Sequence, residues 1–486
     1  MIALRCHQEA ALAMLRSSLA RGKRRPLVQA PTGFGKTRVA AAIVERALAK
    51  GKRVLFTVPA LSLVNQTVSE FAKLGITQVG VIQGVHELTD PSMPVQVASI
   101  QTLMRRTMPD CDIALVDEAH KLFDFYGKWF AEAEHPIIGL SATPWTRGLG
   151  KLYDELIIAS TTSELIEAGF LSPFRVFAPS HPDLSGVRTV AGDYHEGDLS
   201  EAMDNANLVA DVVETWKKRG ENRPTLCFAV DRAHAKHLQT CFEASGVSTG
   251  YIDAYTPRDE REAIAQAFHA GEVKVICNVG CLTTGVDWNV LCIIMARPTK
   301  SEMLYTQIIG RGLRTADGKQ DCLILDHSDT TLRLGFVTDI RHEQLDDGTA
   351  RRSSRDERDE PLPKECPSCS FLKPPKVHAC PSCGFKPERQ SQVESEDGEL
   401  MEITGAKRTF SMADKVSFYG QLRHYAHSRN YAKGWAYHKY IERFGVAPGG
   451  EVHNARLRLP TPATLSWIRS QQIRYAKRSE VQHAVA

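Results

Sequence analysis

The chain lacks any run of eighteen apolar residues, and its start, MIALRCHQEA, has no apolar signal segment and no small-residue cleavage site. A helix that crosses a bilayer takes about 20 apolar residues, so no membrane partner is expected and a cytoplasmic setting is. No short-period repeat is visible. No cluster of carboxylates of the nuclease kind stands out, so strand cleavage is not expected. A net excess of charge is nearly absent too, at +3 over 486 residues. Apolar and charged contents of 43% and 24% fit a soluble globular protein. Its length is too great for one core and points to two to four domains.

Disulfides are also not expected, although there are twelve cysteines. Eight are scattered singly (Cys6, Cys111, Cys227, Cys241, Cys277, Cys281, Cys292, Cys322); several of these sit inside apolar runs, and those read as reduced core residues. The other four pair up as Cys366/Cys369 and Cys380/Cys383. Without a secretion signal, this spacing favours a metal.

What is present begins with alternation of strands and helices over residues 1–338. Leu27–Ala30, Val54–Val58, Ile113–Val116 and Ile137–Leu140 read as buried strands ending at polar motifs, with helices over Lys36–Lys50 and from about Ser62. The pattern restarts near residue 170, with strands at Leu226–Val230, Val273–Asn278, Cys292–Ala296 and Cys322–Asp326. The fold class is α/β: two tandem domains at 1–168 and 169–338, with chemistry at the carboxyl ends of parallel strands. A charged linker follows at 339–363 (RRSSRDERDEPLP). A four-cysteine module spans 364–386, an acidic linker 387–410, and a mainly helical basic segment 411–486. From Met401 to Ala486 there are 14 Lys+Arg against 5 Asp+Glu, a local +9, which leaves −6 for the rest. A basic end on a near-neutral body fits a polyanion, most simply nucleic acid.

Ala30-Pro31-Thr32-Gly33-Phe34-Gly35-Lys36-Thr37 follows a strand and opens a helix. Backbone N–H groups of such a loop lie close to phosphate oxygens, and glycine permits the approach. Lys36 would reach the β- and γ-phosphates of ATP and Thr37 would hold Mg²⁺. Ala30 stands where the general pattern has its first glycine. Asp117-Glu118-Ala119-His120 ends an apolar strand in the same domain. Asp117 would position Mg²⁺, and Glu118 is the candidate base for the attacking water. For His120, coupling to the second domain and a local hydrogen bond are both open.

These residues resemble a superfamily 2 helicase with a DEAH-type magnesium box, and the motifs run in the expected order over about 310 residues. The resemblance implies two RecA-like domains. Leu4-Arg5-Cys6-His7-Gln8 is similar to the adenine-reading segment, with Gln8 as the reader and Arg5 beside it. Ser141-Ala142-Thr143-Pro144 is similar to the motif linking hydrolysis to movement. Thr283-Thr284-Gly285-Val286-Asp287 resembles the fifth motif, placing Gly285 and Asp287 at the nucleotide. Gln307-Ile308-Ile309-Gly310-Arg311-Gly312-Leu313-Arg314 resembles the sixth, with Arg314 as arginine finger and Arg311 beside it. A guanidinium suits the charge developing on a transferred phosphoryl group, and supplying it from a second domain makes hydrolysis depend on closure. Three-residue spacing on a helix would also suit a solvated face. The cysteine module, Pro182-Asp183-Leu184-Ser185-Gly186, and Lys433–Tyr440 with Phe444-Gly445-Val446 resemble RadD-like bacterial and phage DNA-repair helicases. That likeness implies a DNA-stimulated ATPase, single-stranded or forked DNA as partner, and a link to single-stranded DNA-binding protein. A monomer is expected.

Cys366-Pro367-Ser368-Cys369 and Cys380-Pro381-Ser382-Cys383 supply four thiolates, a closed tetrahedral set, so Zn²⁺ is read as structural, with iron–sulfur the minor alternative. Gly384 can take the positive φ of such a turn. Ser370 stands there in the first knuckle, making it less regular. His378 reads as a surface residue. Backbone contacts to nucleic acid are assigned to Pro59-Ala60-Leu61, Ser99-Ile100-Gln101-Thr102 and Thr283; for Ser99 and Thr102 helix capping is an equal reading. Trp435, Tyr437 and Tyr440 read as core ahead of base stacking. The leading function is ATP hydrolysis coupled to movement on DNA in repair or recombination. The alternatives are an RNA motor, a translocase that does not separate strands, and a zinc-dependent DNA-binding adaptor with a vestigial ATPase. The last is disfavoured because Lys36, Thr37, Asp117, Glu118, Arg311 and Arg314 are all present.

Overall fold

A computed structural model describes residues 2–282, 288–349, 361–386, 410–432 and 434–483. They fall into two units, Met1–Arg389 and Gln390–Ala486. The expected segments Thr283–Asp287, with Gly285 and Asp287, residues 350–360 of the charged linker, 387–409 of the acidic linker, and Lys433 lie outside the described residues.

The first unit opens with the helix Cys6–Ala20. Seven strands follow: β1 (Pro26–Gln29), β2 (Val54–Val58), β3 (Val79–Ile82), β4 (Val95–Ser99), β5 (Ile113–Asp117), β6 (Ile137–Ser141) and β7 (Glu155–Ile158). All are parallel, in the order 3-4-2-5-6-1-7. β2 and β4 are buried at every position, because they lie inside a parallel sheet whose two faces are covered by helices. The helix Lys36–Leu48 buries Val39, Ala40, Ile43, Val44 and Ala47 at helical spacing. Strand order sets β5, β6 and β1 side by side, and their carboxyl ends carry Asp117, Ser141 and the loop after Gln29.

A second parallel sheet begins with β8 (Phe174–Phe177). A short hairpin, β9 (Thr189–Val190) and β10 (Asp193–Tyr194), stands apart from it. The sheet continues with β11 (Thr225–Phe228), β12 (Thr249–Ile252), β13 (Val275–Asn278), β14 (Cys292–Met295) and β15 (Cys322–Asp326), in the order 12-13-11-14-15-8. Cys227, Cys277, Cys292 and Cys322 are fully buried in it as free thiols.

Two parts of the expected organisation change. The stretch taken as the start of a free linker is held down as far as Thr349. The Asp346 carboxylate accepts from the Gly148 N–H at 3.1 Å, its carbonyl accepts from the Gly150 N–H at 2.7 Å, and Leu345 packs into the first domain's core. Its charge misled because one aspartate is spent on loop N–H groups. The cysteine module is likewise no separate bead. It forms a small antiparallel pair, β16 (Lys364–Glu365) and β17 (Leu372–Lys373). Phe371 meets the Phe177 ring edge-on at 5.4 Å, and Ala178 N–H donates to the Ser370 carbonyl at 2.9 Å.

The second unit is helical: Met412–Ser428, Trp435–Phe444, Gly450–His453 and Pro462–His483. Phe418, Tyr419, Leu422, Tyr440, Val452 and Ile468 form its own core. Tyr440 is core as expected, while Trp435 and Tyr437 are half-buried. Trp435 stacks flat on Tyr431, centroids 4.9 Å apart.

Candidate active site

The loop after β1 turns on Gly33 and Gly35, both at φ +87°, a region closed to most L-residues. Ala30 does not need that freedom. It is still extended with the sheet, its N–H donating to the Ser141 carbonyl at 2.8 Å, so alanine serves where a glycine was expected. Phe34 anchors the loop from beneath. Its ring is buried and packs edge-on to His7 at 4.7 Å, while its carbonyl accepts from Gln8 Nε2 at 2.8 Å. Gln8 Oε1 accepts from the Arg5 N–H at 3.0 Å. Both ends of the Gln8 amide are therefore engaged, and it is buried under the phosphate loop. Arg5 lies over the Phe170 ring at 5.1 Å. Pro31 is buried, while Thr32 and Thr37 are half-buried at the loop's rim.

Lys36 Nζ reaches Asp117 Oδ1 at 2.8 Å and Glu118 Oε1 at 2.7 Å. Burial works against its charge, but the two carboxylates outweigh burial and hold Lys36 above its ordinary pKa. Burial also pushes Asp117 up. At Glu118 burial is outweighed by Lys36 and His120, and its carboxyl is held down at about 2. Glu118 has φ +49°, a conformation that costs a non-glycine residue about 1–3 kcal/mol and tends to cluster at functional sites. Burial brings His120 down to about 4, so its imidazole is neutral near pH 7. Its Nδ1 lies 2.9 Å from Ser141 Oγ, and its Nε2 lies 3.4 Å from Gln307 Nε2. Gln307 Nε2 also donates to Thr143 Oγ1 at 3.2 Å. With Nδ1 protonated, Nε2 is the acceptor for the Gln307 amide. His120 therefore makes both the local bond and the link to the second domain.

Gln307, Gly310 and Arg311 lie on the helix Glu302–Gly312. A Cβ on Gly310 would stand 2.6 Å from Thr32 Cβ, so the helix touches the phosphate loop where only glycine fits. Arg311 is buried. Arg314 is not on that helix face. It lies past the helix end, bridged antiparallel to Leu171, with its Cγ 3.7 Å from where a Cβ on Gly33 would be. The solvated-face reading of this pair therefore fails. Gln307 was part of the quoted motif but had no assigned role. Leu171 carried no sequence signal, because its place follows from chain reversal after the first domain.

Other assigned contacts divide. Ser99 is fully buried and its hydroxyl caps the turn Ile100–Leu103, accepting from Thr102 N–H at 3.3 Å. That is the capping reading. Ala60 and Leu61 remain accessible.

In the cysteine module, Cys366 and Cys383 sulfurs are 3.8 Å apart, Cys369 and Cys380 sulfurs 3.7 Å, and all four lie within 4.8 Å. A zinc ion with Zn–S of about 2.3 Å has tetrahedral edges of about 3.8 Å, so the set fits Zn²⁺. The first knuckle is as regular as the second. Ser370 takes φ +57° and Gly384 φ +73°, and each N–H donates back to the first cysteine of its knuckle, at 2.9 and 2.8 Å. His378 is exposed, as expected.

Comparison with known proteins adds family to this geometry. Residues 1–146 match the model "Type III restriction enzyme, res subunit", and residues 205–316 match "Helicase conserved C-terminal domain". The chain is 30% identical over 351 residues to IRC3 of Saccharomyces cerevisiae, named as a candidate ATP-dependent helicase. The match covers 66% of this chain and 51% of the yeast protein, so the chain spans about half of that relative's length. A 51.5 kDa protein of Lactococcus phage (isolate 7-9) is 26% identical over 413 residues, covering 82% of this chain and 86% of its own. Among solved structures, a fragment of a candidate HsdR subunit of a type I restriction enzyme from Vibrio vulnificus YJ016 shares the fold. Its TM-score is 0.54 at 21% identity, covering 71% of this chain and 67% of that one.

Proposed function

Because the chain belongs to the superfamily 2 helicases, we propose that it hydrolyses ATP and uses the cycle to move along DNA. One observation carries this reading. Lys36, at the start of the helix after the phosphate loop, lies within 2.8 Å of Asp117 and of Glu118 at the end of β5, and Gln307 of the second domain reaches Thr143 and His120 of the first. ATP would lie on the loop Pro31–Thr37, with Lys36 at its outer phosphates and Thr37 and Asp117 holding Mg²⁺, which supplies charge neutralisation at the phosphates. Glu118 stands as a carboxylate, the form that can orient an attacking water and take its proton. Arg314 and Arg311 supply cations from across the domain boundary. Gln8 acts by holding the loop through Phe34, and the base-reading role stays proposed for it with Arg5.

The basic C-terminal unit and the zinc module favour DNA as the track, through salt-sensitive phosphate contacts. Repair or recombination, a monomeric state, a cytoplasmic setting and a single-stranded DNA-binding protein as partner belong to the same proposal. The deciding measurement is the ATP hydrolysis rate of the whole chain with single-stranded, duplex and forked DNA and with RNA. Stimulation by DNA, lost in Lys36→Ala and Glu118→Gln, is expected. Equal turnover in wild type and Glu118→Gln would sink the proposal, and stimulation by RNA alone would replace the track.

A further inference from the structure

Lys319 lies in the turn between the helix Glu302–Gly312 and β15, outside every motif named above. Its Nζ donates to three backbone carbonyls: Gly312 at 2.5 Å, Val290 at 2.7 Å and Arg314 at 2.8 Å. An ammonium has three N–H bonds and no acceptor, so these contacts use its full donor capacity. The carbonyls come from three places. Gly312 closes the helix, where carbonyls lack intrahelical partners and carry the negative end of the helix dipole. Val290 leads into β14, three residues past Asp287. Arg314 is the arginine beside the phosphate loop. Its carbonyl also accepts from Ser172 Oγ at 3.2 Å, and Ser172 N–H donates to Leu313 at 2.7 Å. Arg314 is beyond the helix, so no helical ladder holds it. Its backbone is held instead by Lys319 and by the chain entering β8.

We propose that Lys319 is a positioning residue for ATP hydrolysis: its ammonium fixes the backbone of Arg314 against the helix end and β14, so that the guanidinium is already placed when the phosphates arrive. A surface lysine kept for solubility would not place all three protons on carbonyls. The inference rests on the motor reading above. Small displacements of a catalytic group are costly, since about 1 Å of misplacement slows a reaction by on the order of 100-fold.

The test is a double-mutant cycle on the whole chain: single-turnover ATP hydrolysis with saturating single-stranded DNA for wild type, Lys319→Met, Arg314→Ala and the double variant. Lys319→Met is expected to slow hydrolysis by about 100-fold. Its affinity for ATP, by fluorescent-nucleotide titration, should stay within about threefold, as for an interaction acting only in the transition state. The double variant should be no slower than Arg314→Ala, because Lys319 acts through that residue. Losses that multiply in the double variant, a large loss of ATP affinity, or a Lys319→Met rate within about threefold of wild type overturn the proposal. If Lys319→Met lacks the wild-type urea transition, Lys319→Gln, which keeps two N–H donors, enters the same cycle with the same criteria. Wild-type hydrolysis indifferent to Lys36→Ala sinks the motor reading, whereas a Lys36-dependent wild type with unaffected Lys319 variants sinks this inference alone.

Discussion

Lys36 stands between two carboxylates that are neighbours in the chain, and this decides how the site answers to substitution. Removing its ammonium leaves Asp117 and Glu118 facing each other in a poorly solvated place. Breaking a buried ion pair on one side costs about 3 kcal/mol. Lys36→Ala should therefore lower the urea midpoint at neutral pH as well as abolish hydrolysis, and adding Glu118→Gln should restore most of the midpoint but none of the activity. A double variant as unstable as Lys36→Ala would show that the pair carries no such strain. His234 makes the acid limb testable. Burial brings its pKa down to about 4, so the folded form resists a proton that the unfolded chain takes up below 6.5. Its contribution is complete above pH 6.5 and falls as pH drops to 4, by about 3 kcal/mol in all. His234→Gln should flatten the stability curve between those values. That Lys36 meets Asp117 and Glu118 was legible because a glycine loop and an acidic pair follow strands of the same α/β domain; either alone would suit a plain turn or a helix cap. The roles of Gln8, Phe34 and Gln307 were not, because each depends on what folds against it from 26 to 187 residues away.

At the scale of elements, the cysteine module extends the second sheet's flank. β17 and Phe371 lie on β8 and Phe177, and His181 joins Asp329 at 2.7 Å to Glu365 at 3.0 Å. Metal loss should thus be felt beyond the module. Phe371→Ala is expected to lower second-domain stability by about 3 kcal/mol, and chelation should lower it in the same transition of a urea titration. Unfolding of the module alone, with the domain's transition unmoved, would contradict the shared packing. Four cysteines in two knuckles were readable from spacing. Their attachment was not, because the apolar residues that make it, Phe371 and Leu372, are too few to register as a pattern. Eight strands of the two sheets were readable to within a few residues, since a doubly covered sheet favours unbroken apolar runs; β3, β4, β7, β8 and β12 were not, because each is short and carries a glycine or polar residue (Gly80, Gln96, Glu155, Arg175, Thr249).

For the first unit as a whole, the restart of the strand pattern near residue 170 announced two domains. The return of the chain to the first domain was hidden by its composition. After β15 the chain passes His342, which pairs with Glu302 at 2.8 Å and stacks on Trp145 at 4.7 Å, and reaches Asp346 on the Gly148–Gly150 loop. Trp145 directly follows Ser141–Pro144, so this strap holds the two domains where Gln307 meets Thr143. Trp145→Ala, with Asp346→Ala, should lower the equilibrium constant for that arrangement by about 10-fold for a loss of some 1.4 kcal/mol, seen as reduced energy transfer between dyes on the two domains. Unchanged transfer would show the strap to be idle. With the connection at Ala159–Pro173, the polypeptide crosses between domains at two separate places, and two fixed places define a line. Like the two pins of a door, they leave rotation about that line as the easy motion and oppose sliding or separation, so each catalytic cycle is expected to trace the same arc.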